Sequence, residues 1–252
     1  RAYPMSFFIG NVLTVFYTVL GAYFMYEIMF KGQLESRFSG FTGTSDYMTY
    51  VIVGSLSYAL VVRTLLNVSR SLITELREGT LESLMLAPFS RLGYFAGNMM
   101  QQTITTLGEL CIALIICIPF GINTTNINVL TCIIGIVVSL YCYFGLAMCL
   151  GAVMIYTRDT YISQHTLFLL IFLVCGVVFP PEYLPRWLEI ISKVLPVSDA
   201  IKIVRASVLN GAQIHELMGT YIKLIVLASV YFIVGFRAIG RIEKIALEKI
   251  FG

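Results

Sequence analysis

The chain has 252 residues, 58% hydrophobic and only 12% charged, with a mean hydropathy of +0.86 and a formal net charge of +3. A composition this apolar excludes a water-soluble globular domain and describes an integral membrane protein. The small positive charge includes no basic patch interleaved with exposed aromatics, so no nucleic-acid partner is expected.

A helix needs about 20 mainly apolar residues to cross a hydrocarbon core about 30 Å thick. Six stretches reach or approach that length: Met5 to Phe30, Tyr47 to Leu66, Leu92 to Phe120, Val129 to Tyr156, Thr160 to Pro180 and Leu217 to Phe236. The predicted fold is therefore all-α, with six transmembrane helices in a single transmembrane domain over residues 1–252. A β-barrel would show alternating segments of about 10 residues instead of these continuous runs. The first run is too long for the apolar region of a signal peptide and no clear cleavage site follows it. The chain opens on Arg1 without Met, from which the loss of upstream residues is expected. Glu27, near the end of the first run, is expected at the headgroups.

Between the second and third spans the chain turns charged, reading RTLLNVSRSLITELREGTLESLMLAPFSR from Arg63 to Arg91. Val68, Leu72, Ile73 and Leu76 recur at helical spacing, while Glu75, Glu78 and Glu82 share the other face, which predicts an amphipathic helix with an acidic stripe. Gly79 can take the left-handed conformation that closes a helix, Thr80 can cap the next, and Pro88 cannot continue it. The segment 67–91 thus reads as helix, break, short helix and stop, a handle for something outside the bilayer.

On the third span Asn98, Gln102, Thr105 and Glu109 follow at steps of four, three and four, on one narrow face. A carboxylate at that depth costs a few kcal/mol unless paired, protonated or wetted. The stripe therefore points to a translocation path or subunit interface, with interhelical hydrogen bonding as the plainer alternative. Cys111, Cys117, Cys132, Cys142, Cys149 and Cys175 all fall within predicted spans and read as small apolar packing, with no metal site expected.

The segment 180–211 is proline-broken. Pro180, Pro181 and Pro185 are expected to end the fifth span early, and Pro196 to separate two short helices, Leu184 to Leu195 and one capped by Ser198 that runs towards Gly211. Both are too short to cross and are expected to be re-entrant at the outer face. An outer gate and an interfacial connector anchored by Trp187 and Tyr183 are the two readings. Lys223 on the sixth span can snorkel outward.

Counting Lys and Arg by side with both termini inside gives Arg1, Arg63, Arg70, Arg77, Arg91, Arg158, Arg237, Arg241, Lys244 and Lys249 on the cytoplasmic face. The outer face holds Lys31, Arg37, Arg186, Lys193, Lys202, Arg205 and Lys223. The bias places both termini in the cytoplasm of a multi-pass protein of the inner or cytoplasmic membrane.

No Walker A string, no GxSxG and no HExxH occurs, so no catalytic residue is assigned and ATP would have to be bound by another polypeptide. His165 and His215 read as interfacial residues. No internal repeat supports a secondary transporter, while the polar stripe would suit a channel in an oligomer; both stay as alternatives without an ATPase.

Six spans, the loop carrying Glu78-Gly79-Thr80-Leu81-Glu82 and then Pro88, and the proline-broken segment before the sixth span together resemble an ABC-2 type permease, the membrane half of an ABC exporter. The resemblance covers nearly the whole chain and is sharpest from Arg77 to Pro88. It implies that Glu75, Glu78, Gly79, Thr80, Leu81 and Glu82 form a coupling helix docking onto a separate ATPase that binds ATP and Mg. It also implies two ATPase copies, a second permease subunit as homodimer or heterodimer, and an extracellular gate at Pro180, Pro181, Pro185 and Pro196. The expected cargo is amphipathic: a drug, lipid, peptide or lipid-linked glycan. The chain departs from the family where an amphipathic helix would precede the first span and only Arg1 to Pro4 stands.

Overall fold

The structure, a computed structural model, describes residues 5–29, 36–44, 46–78, 91–123, 125–157 and 162–251. These residues form helices and no strand. In chain order they are α1 (Met5–Phe24, running on as a π-helical turn Met25–Met29), α2 (Ser36–Thr42), α3 (Tyr47–Glu78) and α4 (Arg91–Cys117, closed by a 3-10 turn Ile118–Phe120). Then come α5 (Val129–Thr157), α6 (Ile162–Val174), a 3-10 turn Pro181–Tyr183, α7 (Arg186–Val194), α8 (Pro196–Leu209) and α9 (Met218–Phe251).

Among the described residues four helices are long and apolar enough to cross a membrane, over Tyr47–Ser71 of α3, Gly93–Phe120 at α4, Val129–Met154 of α5 and Met218–Arg241 of α9. Two shorter apolar helices lie beside them, Val12–Ile28 and Gln164–Val174. The chain is a multi-pass membrane protein. Burial sorts the long spans: 61% of the apolar window of α3 and 50% of that of α5 are covered by protein, against 22% for α4 and α9. α3 and α5 are therefore the central helices. α4 and α9 turn Met100, Ile104, Ile115, Ile222, Val226 and Val234 outward, an apolar surface that lipid or another subunit must cover.

Helix boundaries follow local chemistry. Asp46 starts α3: its carboxylate accepts the Thr49 amide at 3.0 Å and the Thr49 hydroxyl at 2.5 Å, satisfying a first-turn donor. That hydroxyl accepts the Asn123 amide at 2.8 Å, tying the loop after α4 to the start of α3. With no glycine or proline between Leu66 and Glu78, each residue adds one backbone bond to the helix and α3 continues past the expected span end. α9 likewise runs on past Phe236 to Phe251.

α6 stops at Val174 because Gly176 turns left-handed at φ 75°, well before Pro180. Pro196 separates α7 from α8 as expected, but Ser198 does not cap α8. The helix begins at Pro196, whose fixed φ suits the first turn, and Leu195 precedes it without a side-chain cap. Ser198 instead meets the Ser192 hydroxyl of α7 at 2.9 Å. α2 was not expected, having too few residues for a readable period.

The core has two parts. α5 is the axis of the larger, with Tyr143, Met148 and Met154 packed among Leu65 and Val68 of α3, Ile171 of α6, Ile201 and Ile203 of α8, and Leu224 of α9. The smaller joins Val12, Val15 and Val19 of α1 to Phe38, Val51, Ile52, Ala113 and Cys117.

Candidate functional site

Glu109 is 3% exposed on α4, and its carboxylate Oε2 stands 4.0 Å from Arg63 Nε on α3. Both residues lie inside the apolar stretches of their helices. A buried carboxylate is tolerable where an opposite charge and hydrogen bonds replace water, and a neighbouring helix supplies that charge here. Arg63 was counted on the inner side, close to the end of the expected span Tyr47 to Leu66. On the continuous α3 it lies within the apolar stretch that runs to Ser71, beside α4.

The expected stripe is brought together in part. Gln102 is buried and its amide donates to the Thr106 hydroxyl at 2.9 Å. Thr106 is fully buried, one residue from the expected Thr105. Thr105 is half-buried and turns its hydroxyl back to the Gln101 carbonyl at 3.0 Å, as threonines in helices do. Asn98 is half-buried nearer the start of α4. The buried polar row is thus Gln102, Thr106 and Glu109. Its step of four from Gln102 was legible as a helical neighbour, although the choice between adjacent threonines depends on how α4 rotates against α3.

At the Glu78 end of the bundle, Arg70 Nε donates to Gln164 Oε1 at 2.9 Å and joins α3 to the start of α6. Glu78 is the last described residue of α3 and is exposed, and Glu75 is carried on the same helix. Gly79, Thr80, Leu81 and Glu82, with Pro88, lie outside the described residues.

The opposite end holds the prolines. Pro181 opens the 3-10 turn, Pro185 precedes α7 and Pro196 begins α8, so each stands at a start where its missing amide costs nothing; Pro180 is buried ahead of them. Between α6 and this segment the backbone is irregular and leaves carbonyls to be satisfied. Arg205 of α8 reaches them. Only 9% exposed, it donates from Nη2 to the Val177 carbonyl at 3.1 Å and lies 3.4 Å over the Tyr50 ring of α3. The Tyr50 hydroxyl makes a long 3.4 Å contact with the Gly176 carbonyl. A cation here also faces the negative end of α6.

Gly54 makes this possible. A Cβ there would collide with the Val177 carbonyl and with Arg205 Nη2. Nothing expected of the sequence foresaw this group of Tyr50, Gly54, Val177 and Arg205. One signal was present: Arg205 falls on the face of Val197, Ile201 and Val208, a charge in an apolar stripe. Asp199 of α8 pairs with Lys223 of α9 at 2.7 Å, so Lys223 binds across helices where snorkelling was expected.

Among the described residues no group of three or more His, Cys, Asp and Glu is placed to hold a metal ion. The family model of the ABC-2 type transporter matches residues 6–209, from α1 to the end of α8. No curated protein matches the chain.

Proposed function

The chain belongs to the ABC-2 type transporter family, and on that premise we propose that it is the membrane permease subunit of an ATP-driven exporter of an amphipathic substrate. A separate ATPase supplies the energy, two copies of it working with two permease subunits. The chain itself carries no catalytic residue and binds neither ATP nor Mg. α1 and α6 complete six crossings with both termini in the cytoplasm, and the Arg70 to Pro88 segment is the cytoplasmic contact. The broken segment from Pro180 to Gly211 is the outer gate.

The observation that carries this reading is the length of α3. Its apolar part ends at Ser71 while the helix continues to Glu78. Seven further residues rise about 10 Å, enough to carry a rigid, charged lever out of the bilayer. A push on that lever would reach Arg63, Tyr50 and Gly54 through one continuous helix, and α6 through Arg70 and Gln164.

Cysteine cross-linking tests it. A cysteine at Glu78 is expected to link to a co-expressed ATPase, and one at Asn126, at the other end of the bundle, is not. Linking at Asn126 alone would invert the proposed orientation.

A further inference from the structure

The α7–α8 end of the bundle contains a cavity of about 290 Å³. Drug-sized ligands fill pockets of ~300–1,000 Å³, so this cavity suits a small polar group. Four cations border it, Lys193, Lys202, Arg205 and Lys223, with three carboxylates, Glu182, Glu189 and Asp199. Two of the carboxylates are already matched: Glu189 pairs with Lys193 at 2.6 Å and Asp199 with Lys223 at 2.7 Å. Among the described residues that line the cavity, Lys202 and Arg205 then face Glu182 alone, an excess of one positive charge over that set.

Arg205 is not saturated. Its Nη2 is used by Val177, but its buried Nε has no hydrogen-bond partner among the described residues. A planar guanidinium with a spare donor near an exposed ammonium is a combination that receives a phosphoryl oxygen. Next to the cavity, α7 exposes Trp187, Ile190 and Val194, which at steps of three and four form one apolar face. A polar cavity flanked by an exposed apolar strip matches a headgroup with its acyl chain.

We propose that this cavity binds the phosphoryl group of an anionic phospholipid headgroup, with Lys202 and Arg205 as the anion-binding side chains. The proposal takes the outer leaflet as the source of that lipid from the permease reading; the binding itself needs no ATPase and no transport.

Trp187 is the only tryptophan of the chain and stands on the helix that supplies Glu189 and Lys193, so its fluorescence reports on the cavity. The full chain, purified in an uncharged detergent, is titrated with dihexanoyl phosphatidylglycerol, the matching phosphatidylcholine, glycerol 3-phosphate and inorganic phosphate. The phosphatidylglycerol midpoint is expected to be lower than that of phosphatidylcholine by roughly tenfold. Lys202→Glu, an exposed position whose change spares the core, is expected to abolish that difference, and Lys202→Arg to keep it. Saturation by the two chain-free phosphates at a similar midpoint would show that the phosphoryl group alone is read and that a soluble phosphate is an equal ligand. A much weaker response to them assigns the site to lipid. Equal midpoints for the two lipids, or a Lys202→Glu variant indistinguishable from the parent, would overturn the proposal. That outcome would leave the permease reading standing, since no step of the titration involves the ATPase contact.

Discussion

Arg63 and Glu109 are the charged pair that ties α3 to α4 within the apolar bundle, 4.0 Å apart with the carboxylate almost fully buried. Removing one partner of a buried ion pair costs about 3–5 kcal/mol where the other charge loses its main counter-ion. Glu109→Leu is therefore expected to lower thermal stability in detergent strongly, and Arg63→Met/Glu109→Leu to regain most of it, because replacing both charges by apolar groups removes both desolvation costs. Transport by the double variant then separates the roles: recovery of folding with loss of export is expected for a pair on the substrate route, whereas full export would reduce it to packing.

The contact between Arg205 and the Tyr50 ring gives a second expectation. Arg205→Lys keeps the charge but loses the planar stack and the fork that reaches Val177, and Tyr50→Leu removes the ring. Stacking of this kind contributes about 0.5–2 kcal/mol. Each variant is expected to unfold at lower temperature than Tyr50→Phe, which keeps the ring and loses only a long hydroxyl contact.

Gly54→Ala tests the same place from the other helix. The added methyl meets backbone as well as the guanidinium, so α3 and the α6 break must separate. Overpacking typically costs about 1–3 kcal/mol. The unfolding free energy is expected to fall by that amount, and a cysteine introduced at Val178 is expected to become more reactive to maleimide than in the parent background.

Arg70 and Gln164 are expected to transmit force more than to hold the fold. A hydrogen bond to a charged group contributes about 1.5–3 kcal/mol. Gln164→Leu should weaken the α3–α6 link and lower substrate-stimulated ATPase activity of the assembled complex, with the complex still recovered intact. Gln164→Glu keeps an acceptor and should retain that activity. Equal loss in both variants would show that the bond does not couple the helices.

What was legible in the sequence depended on whether the signal was local. Long apolar runs and the odd carboxylate inside one of them can be read from the chain alone, which is why Gln102 and Glu109 were found. Arg63 was read as a charge at the inner end of its span, and only the packing of α3 against α4 shows that Glu109 is its partner. Ser198 had the chemistry of a cap, but Pro196 two residues earlier started the helix first. The meeting of Tyr50, Gly54, Val177 and Arg205 joins three distant stretches, so nothing at fixed spacing announces it. The break in α6 was foreseen from the prolines, yet its cause is the conformation of Gly176.

The shortness of α6 affects how a charge would experience membrane voltage. Its 13 residues rise about 20 Å, against a hydrocarbon slab of about 30 Å, and beyond Val174 the chain opens towards a polar cavity bordered by Cys175 and Pro180. Placed across a bilayer as proposed, a flank insulated by these 13 described residues alone is thinner by about a third. The same potential difference dropped over the shorter distance gives a field about one and a half times as strong. A phosphate-bearing cargo moving beside α6 would thus cross the same potential difference over a shorter path than one moving beside α3 or α5, and its own charge would make its flux along that side depend on voltage even though α6 has no Asp, Glu, Lys or Arg.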